Sequence, residues 1–353
     1  MKIKLAILES DQNYLNRIVS VFSTRYADKF QIYSFTNQEM ALEAIDAEKI
    51  DVLVANDSFE IDVQRLPARC SFVYFVNSAD VDTVKDQKAI CKFQKAELIY
   101  KQILSVYSEN AGSFAGLKLT DDDCKVTIFV SPSGGVGTST VAAAYAVHLA
   151  RQGKRPLFLS FEDFGSTDFF FAGEGQFDMS DVIFALKSKK ANLAMKLESY
   201  VKQDVRGVFF FSQAKFALDM LEFKHEERLQ LLNELRLVGA YDEVVVDLGF
   251  ALDKEHFDYY KKANNVVIVG DGTENSNIKI YKAYTALSTM DQNSEVPVAN
   301  RFSLIYNRFS STKGRSVEGI DLRSIGGAPV YANAKTSQIV EQLAAGDMFN
   351  KLG

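Results

Sequence analysis

The stretch that most constrains this chain is residues 126–149, VTIFVSPSGGVGTSTVAAAYAVHL. It opens on an apolar, β-branched run, 126–130, which reads as a buried strand. A tight loop follows, Ser133-Gly134-Gly135-Val136-Gly137, and then a small-residue helix over 138–151 that stops at Gly153. Strand, glycine loop and helix N-terminus together make an anion cradle. Glycines let backbone N–H groups converge, and the helix dipole favours negative charge there. Gly134, Gly135, Val136, Gly137, Thr138, Ser139 and Thr140 are therefore candidate phosphate-binding residues, with Ser139 where such a loop places the hydroxyl that holds Mg²⁺. The pattern is irregular. Against G-x-x-x-x-G-K-[ST], Pro132 stands at the first glycine and Thr138 at the lysine that reaches the outer phosphates. A glycine turn that binds nothing accounts for the loop equally well, so the rest of the chain has to decide.

With 353 residues, 47% hydrophobic and 24% charged, the chain is long enough for two ordinary globular domains. A net charge of −6 argues against a nucleic-acid surface, and the dense basic run Lys187-Ser188-Lys189-Lys190 is short enough to be a solvated helix end. Cys70, Cys91 and Cys124 are widely spaced, as suits reduced thiols in a cytoplasmic protein. His148, His225 and His256 show no ligand spacing with them, which disfavours a metal site built from side chains alone. No apolar run approaches the ~18 residues of a membrane span, so direct membrane insertion is not expected. The opening MKIKLAILESDQ carries charges within its apolar stretch and reads as a strand rather than a signal peptide.

Residues 1–110 alternate strand and helix. Strands are expected at 3–8, 31–35, 51–55, 71–76 and 89–93, with helices around Leu15, Ile18, Val19 and Phe22, over 39–46 and over 96–107. Five strands with crossover helices give a doubly wound, flavodoxin-like α/β sheet. This order resembles the receiver domain of two-component signalling. The resemblance places an acidic pair at Glu9 and Asp11 after the first strand, and Asn56 where the phosphoacceptor aspartate ends the third. Asn77, with Ser78 beside it, and Lys92 take the remaining positions. An amide cannot become an acyl phosphate, so a docking role without phosphotransfer is expected, with Asp57 as the one alternative acceptor.

Residues 111–122, polar and acid-ended, read as a linker. From 123 to 353 the chain resembles the MinD/ParA group of ATPases, whose loop K-G-G-x-G-K-[ST] is matched in spacing, with Ser133 and Thr138 in place of both lysines. The fold this implies is a P-loop NTPase domain. A strand over 156–161 ends in Ser160-Phe161-Glu162-Asp163, where the group has Asp-x-Asp near the attacking water, so Glu162 is the candidate catalytic carboxylate. Three helical stretches are expected between 179 and 237, around a strand at 207–212. The run Glu243-Val244-Val245-Val246-Asp247 has the Walker B arrangement, a buried strand delivering Asp247 to the Mg²⁺ shell. Strands are expected at 265–270 and 302–306, and a helix around 278–290. By the resemblance, Asn307-Arg308 after the strand at 302–306 reads adenine and Gly326-Gly327-Ala328-Pro329-Val330 forms the loop flanking the base. A last helix over 336–343 ends a tail with one cation, Lys351, and is expected to pack in the core.

A receiver-like front on a lysine-less MinD/ParA-type domain is similar to the TadZ/CpaE family of Flp (Tad) pilus assembly proteins, MinD and ParA being the relatives of its second half. That resemblance implies a cytoplasmic protein at the cell pole, ATP and Mg²⁺ as ligands, a homodimer across two nucleotides, and pilus or secretion machinery as partner. Phe169-Phe170-Phe171 offers an apolar dimer contact or a buried strand. Three functions remain open: an ATP-binding localisation factor with slow or absent hydrolysis, an active ATPase switch, and a nucleotide-free scaffold. Loss of both lysines disfavours the switch, since cations neutralise charge as the γ-phosphate departs.

Overall fold

Two successive runs of alternating strand and helix build two sheets, in a computed structural model that describes residues 2–110, 124–188, 193–292, 294–310 and 312–352. The expected linker lies outside the described residues. The chain divides into two compact units, the first formed by the front of the chain together with residues 188–200.

The first unit contains β1 (Ile3–Leu8), α1 (Gln12–Arg25), β2 (Phe30–Phe35), α2 (Gln38–Ala47), β3 (Val52–Asn56), β4 (Ser71–Val76), β5 (Thr83–Val84), β6 (Gln87–Cys91) and α3 (Ala96–Asn110). Its sheet runs β2-β1-β3-β4-β6-β5, parallel except for β5 against β6. Alternation along the strands splits the apolar side chains between two faces. Leu5, Ile7, Val54 and Phe75 meet Leu15, Phe22 and Ile103 of α1 and α3, while Leu8, Leu53 and Tyr74 meet Ala41 and Ile45 of α2. Helices make the first two crossovers as expected. The next two differ, using a 3₁₀ turn at Val63–Arg65 and the short β5. Pro67 cuts short any helix in residues 57–70, and residues 77–86 are short and mostly polar.

In the second unit lie β7 (Lys125–Val130), α4 (Thr138–Arg151), β8 (Pro156–Ser160), α5 (Thr167–Phe170) and α6 (Met179–Lys187). The next helix, α7 (Leu193–Tyr200), packs with the first unit. There Met195 joins the α1/α3 core, and Glu198 accepts hydrogen bonds from Lys29 Nζ (3.0 Å) and Tyr100 Oη (2.8 Å). The second unit then resumes with β9 (Lys202–Gln203), β10 (Phe209–Phe210), α8 (Ala217–Leu221), α9 (His225–Leu237), β11 (Glu243–Asp247), α10 (Lys254–Lys262), β12 (Asn265–Gly270), α11 (Glu274–Asp291), β13 (Phe302–Tyr306), β14 (Arg323–Gly327) and α12 (Thr336–Ala344). Its sheet order is β14-β13-β12-β7-β11-β8-β10-β9, parallel except for β9 against β10. The glycine-loop strand β7 and the Asp247 strand β11 are neighbours, with Asp247 opposite Phe129 on one side and Ser160 of β8 on the other. Helix α4 is buried on every side from Val141 to Leu149, which its alanines allow, because α12 packs closely against it.

Three details depart from expectation. Among the described residues, four helices rather than three occupy 179–237. The phenylalanine strand shrinks to Phe209–Phe210, with Gly207 in a left-handed turn ahead of it. Gly326 and Gly327 end a paired strand instead of forming a loop, and a Cβ at Gly326 would lie 2.8 Å from Met348, so glycine lets the segment around Met348 approach the sheet.

Candidate phosphate-binding site

Between β7 and α4 the backbone turns twice into the left-handed region, at Gly135 (φ 77°) and Gly137 (φ 89°). Side chains with a Cβ resist that conformation, which explains the glycines. Ser131 pins the loop's entry, donating from its hydroxyl to the Val269 carbonyl (2.6 Å) and accepting from the Ser133 N–H (3.0 Å). Gly137 caps α4 with no side-chain hydrogen bond, so the first-turn N–H groups stay available to an anion. Ser133, at the place of the first missing lysine, is buried, while Thr138 opens the helix.

Strand β11 brings Asp247 beside the first turn of α4. Asp247 is only 2% exposed, and its Oδ1 has no hydrogen-bond partner among the described residues. Burial, reinforced by the nearby charge of Glu162, pushes its pKa up to about 7, against a smaller lowering by a hydrogen bond from Ser139. An orphaned buried carboxyl oxygen next to a helix-start serine is the donor set a Mg²⁺–phosphate pair would complete. Among the described residues no group of three or more His, Cys, Asp or Glu side chains is placed to hold a metal, so any Mg²⁺ would need phosphate oxygens as further ligands. Glu162 follows β8, whose exit is tied to β11 by a hydrogen bond from the Phe161 N–H to the Asp247 carbonyl (2.9 Å). Burial, then the charge of Asp163, raises the Glu162 pKa, and Glu162 helps line a small open pocket with Ser160, Thr167 and Phe211.

From the other side β13 delivers Asn307 and Arg308. Asn307 Nδ2 donates to the Val136 carbonyl (2.8 Å), and Arg308 Nη1 donates to the Gly135 carbonyl (3.0 Å). A Cβ at Gly137 would come within 2.5 Å of Asn307 Nδ2, so this glycine serves the neighbouring strand as well as the turn. The structure thus gathers residues 134–140, Asp247, Glu162, Asn307 and Arg308 around one loop. Sequence reasoning missed Arg228 of α9. Its guanidinium donates to the carbonyls of Phe161 and Phe223 and to Asp163 (2.9 Å each), bracketing Glu162 on both sides. An arginine on a polar helix gives no sign of such a contact.

The first unit closes its own acidic pocket. Glu9 is fully buried and accepts from Lys92 Nζ (3.2 Å) and Asn56 Nδ2 (3.3 Å). Asp11 is occupied as the N-cap of α1, accepting from the N–H groups of Asn13 and Tyr14. Asp57 is exposed and points its own N–H to the Phe75 carbonyl.

Fold and site define a receiver-like domain followed by a MinD/ParA-like P-loop fold. Residues 1–108 match the family of TadZ-like receiver domains and form such a domain. No curated protein matches the chain. Among solved structures, a ParA family ATPase from Chlorobium tepidum TLS is similar over 66% of this chain and 96% of its own, with a TM-score of 0.51 and 20% identity. The MinC:MinD cell division protein complex of Aquifex aeolicus is similar over 65% of this chain and 96% of the other, with a TM-score of 0.50 and 19% identity. At such identities the likeness concerns the fold alone. No helix among the described residues is long and apolar enough to cross a membrane.

Proposed function

We propose that the chain is an ATP-binding localisation or assembly factor for Tad (Flp) pilus or secretion machinery. Bound nucleotide stabilises a homodimer and is hydrolysed slowly or not at all. The observation that carries this is Asp247, a buried carboxyl with an orphaned oxygen beside an uncapped helix start. The N–H groups of residues 134–139 and the α4 dipole hold the phosphates. Ser139 and Asp247 hold Mg²⁺, which when bound neutralises phosphate charge. Asn307, already donating through Nδ2, meets the base through Oδ1. Glu162 is the water-side carboxylate, and with serine and threonine at the lysine positions its effect on turnover is small. Phe169, exposed beside the Glu162 loop, adds apolar area to the dimer contact while Phe171 stays in the core. The TadZ-like match of the front domain supports a cytoplasmic place at the cell pole.

Native mass spectrometry with and without Mg-ATP tests the proposal. A dimer carrying two intact ATP molecules is expected. A ligand-free monomer under both conditions would leave only the scaffold function, and turnover as fast as in lysine-bearing relatives would replace slow hydrolysis with a switch.

A further inference from the structure

The nucleotide phosphates need positive charge that neither Ser133 nor Thr138 can give. We propose that Arg308 supplies it, reaching the phosphate loop from β13 and acting on the phosphates rather than on the base; this rests on the nucleotide-binding function proposed above. The backbone is built to send this side chain there. Arg308 has φ 55°, a left-handed conformation that a non-glycine residue adopts at a cost. Flanking hydrogen bonds hold the kink, from Asn307 N–H to the Gly270 carbonyl (2.7 Å) and from Phe309 N–H to the Ala328 carbonyl (2.8 Å).

The kink lays the guanidinium on the loop. Nη1 bonds the Gly135 carbonyl at 3.0 Å, and Nη2 lies 3.7 Å from where a Cβ of Gly137 would be, at the start of α4. Guanidinium carries five donors in a fixed fork and stays charged at every working pH, so donors remain for a phosphate oxygen after the loop contact is made. Asp247 and Glu162 add negative charge to the same site, and two phosphate-facing lysines are absent, so a cation at the loop decides whether a triphosphate is tolerated. A lysine within the loop would act from the loop backbone. Arg308 acts from an adjacent strand, and it braces the loop's carbonyl side as well.

The test measures Mg²⁺-dependent binding of ATP, ADP and AMP by calorimetry, on the parent, Arg308→Gln, Arg308→Lys, and Arg308→Gln combined with Ser133→Lys. Gln keeps a donor for the Gly135 carbonyl and removes the charge. ATP affinity should fall about tenfold or more in Arg308→Gln, ADP less and AMP least, as expected for loss of a charge near phosphates. Lys should retain most of the ATP affinity, and Ser133→Lys should restore it. Equal losses for all three nucleotides would assign Arg308 to the base and overturn the inference. Unchanged ATP affinity in a folded Arg308→Gln would overturn it while leaving the proposed function standing. A parent that binds none of the three would remove the proposed function itself, and the inference with it.

Discussion

Replacing Asp247 with asparagine should stabilise the nucleotide-free protein while destroying its response to Mg-ATP. The carboxyl is buried, and its pKa is pushed from 3.8 in the unfolded chain to about 7 in the folded one. Between those values the folded state holds a proton that the unfolded state has lost, so stability falls as pH rises through the window. Each tenfold change in the protonation equilibrium is worth about 1.4 kcal/mol. The cost of keeping the aspartate therefore grows from under ~1 kcal/mol near pH 4 to about 4 kcal/mol near pH 8. Asparagine has nearly the same shape and no charge. Its amide oxygen still accepts from Ser139, but the amide brings buried N–H donors whose missing partners cost about 1 kcal/mol, leaving a net gain of about 3 kcal/mol near pH 8. For a unit of this size that is a rise in Tm of about 6–12 °C.

Thermal melts of parent and Asp247→Asn, from about pH 4 to pH 8 and with and without Mg-ATP, measure this directly. Comparing the pair at each pH cancels the titration of the other acids. The gain should appear near pH 8 and fade near pH 4, and only the parent should be raised by Mg-ATP, by about 3 kcal/mol at a hundredfold excess over Kd. A variant less stable than the parent near pH 8, or equally more stable at every pH, would refute the claim that Asp247 is held charged at a cost.

Three further outcomes are expected. Gly137→Ala puts a Cβ 2.5 Å from Asn307 Nδ2 at φ 89°, and should cost about 2–3 kcal/mol in urea unfolding through backbone strain and loss of the Asn307–Val136 hydrogen bond. A cost under about half a kcal/mol would mean that the loop and β13 are not coupled. Glu198→Ala should speed hydrogen exchange over residues 193–200 several-fold, because Lys29 and Tyr100 lose their shared acceptor; unchanged exchange would show that the apolar side of α7 suffices. Acetyl phosphate should leave the mass of the protein unchanged, since Asn56 cannot form an acyl phosphate and Glu9 is held by Lys92, and a stable phosphoryl adduct at Asp57 would overturn this.

What could be read in the chain was local or periodic. The run 243–247 predicts both the buried strand and the carboxylate at its end, because apolar continuity and a terminal acid are properties of adjacent residues. The loop was legible for the same reason, its glycines marking φ values that other residues avoid. Other features depended on partners far away in sequence. Nothing in LAMKLESY tells that Glu198 will meet Lys29, 169 residues earlier, since an amphipathic helix advertises an apolar face but not its partner. The contact of Arg308 with Gly135 spans 173 residues and requires a backbone kink that its own sequence disfavours. The resemblance puts the doublet Gly326-Gly327 in a loop, yet it ends a strand, with Met348 packed where a side chain at 326 would stand.

The two units each bury a carboxylate at the carboxyl end of a parallel strand, and they treat it in opposite ways. Glu9 meets an ammonium and an amide, which meet much of the cost of desolvation and leave little for an incoming cation to gain. Removing Lys92 would strand the charge, so the cluster reads as a structural lock where a receiver's chemistry would otherwise sit. Asp247 has one hydrogen bond and an oxygen with no partner, and its raised pKa measures how poorly the folded chain solvates its charge. Such a group destabilises the protein that carries it unless something outside the chain completes it. On the proposed function a divalent ion with phosphate oxygens would do so and would return the pKa towards its unfolded value, releasing protons on binding near neutral pH. On the function proposed above, a ligand-dependent state would belong to the second unit, while the acidic pocket of the front unit is already satisfied.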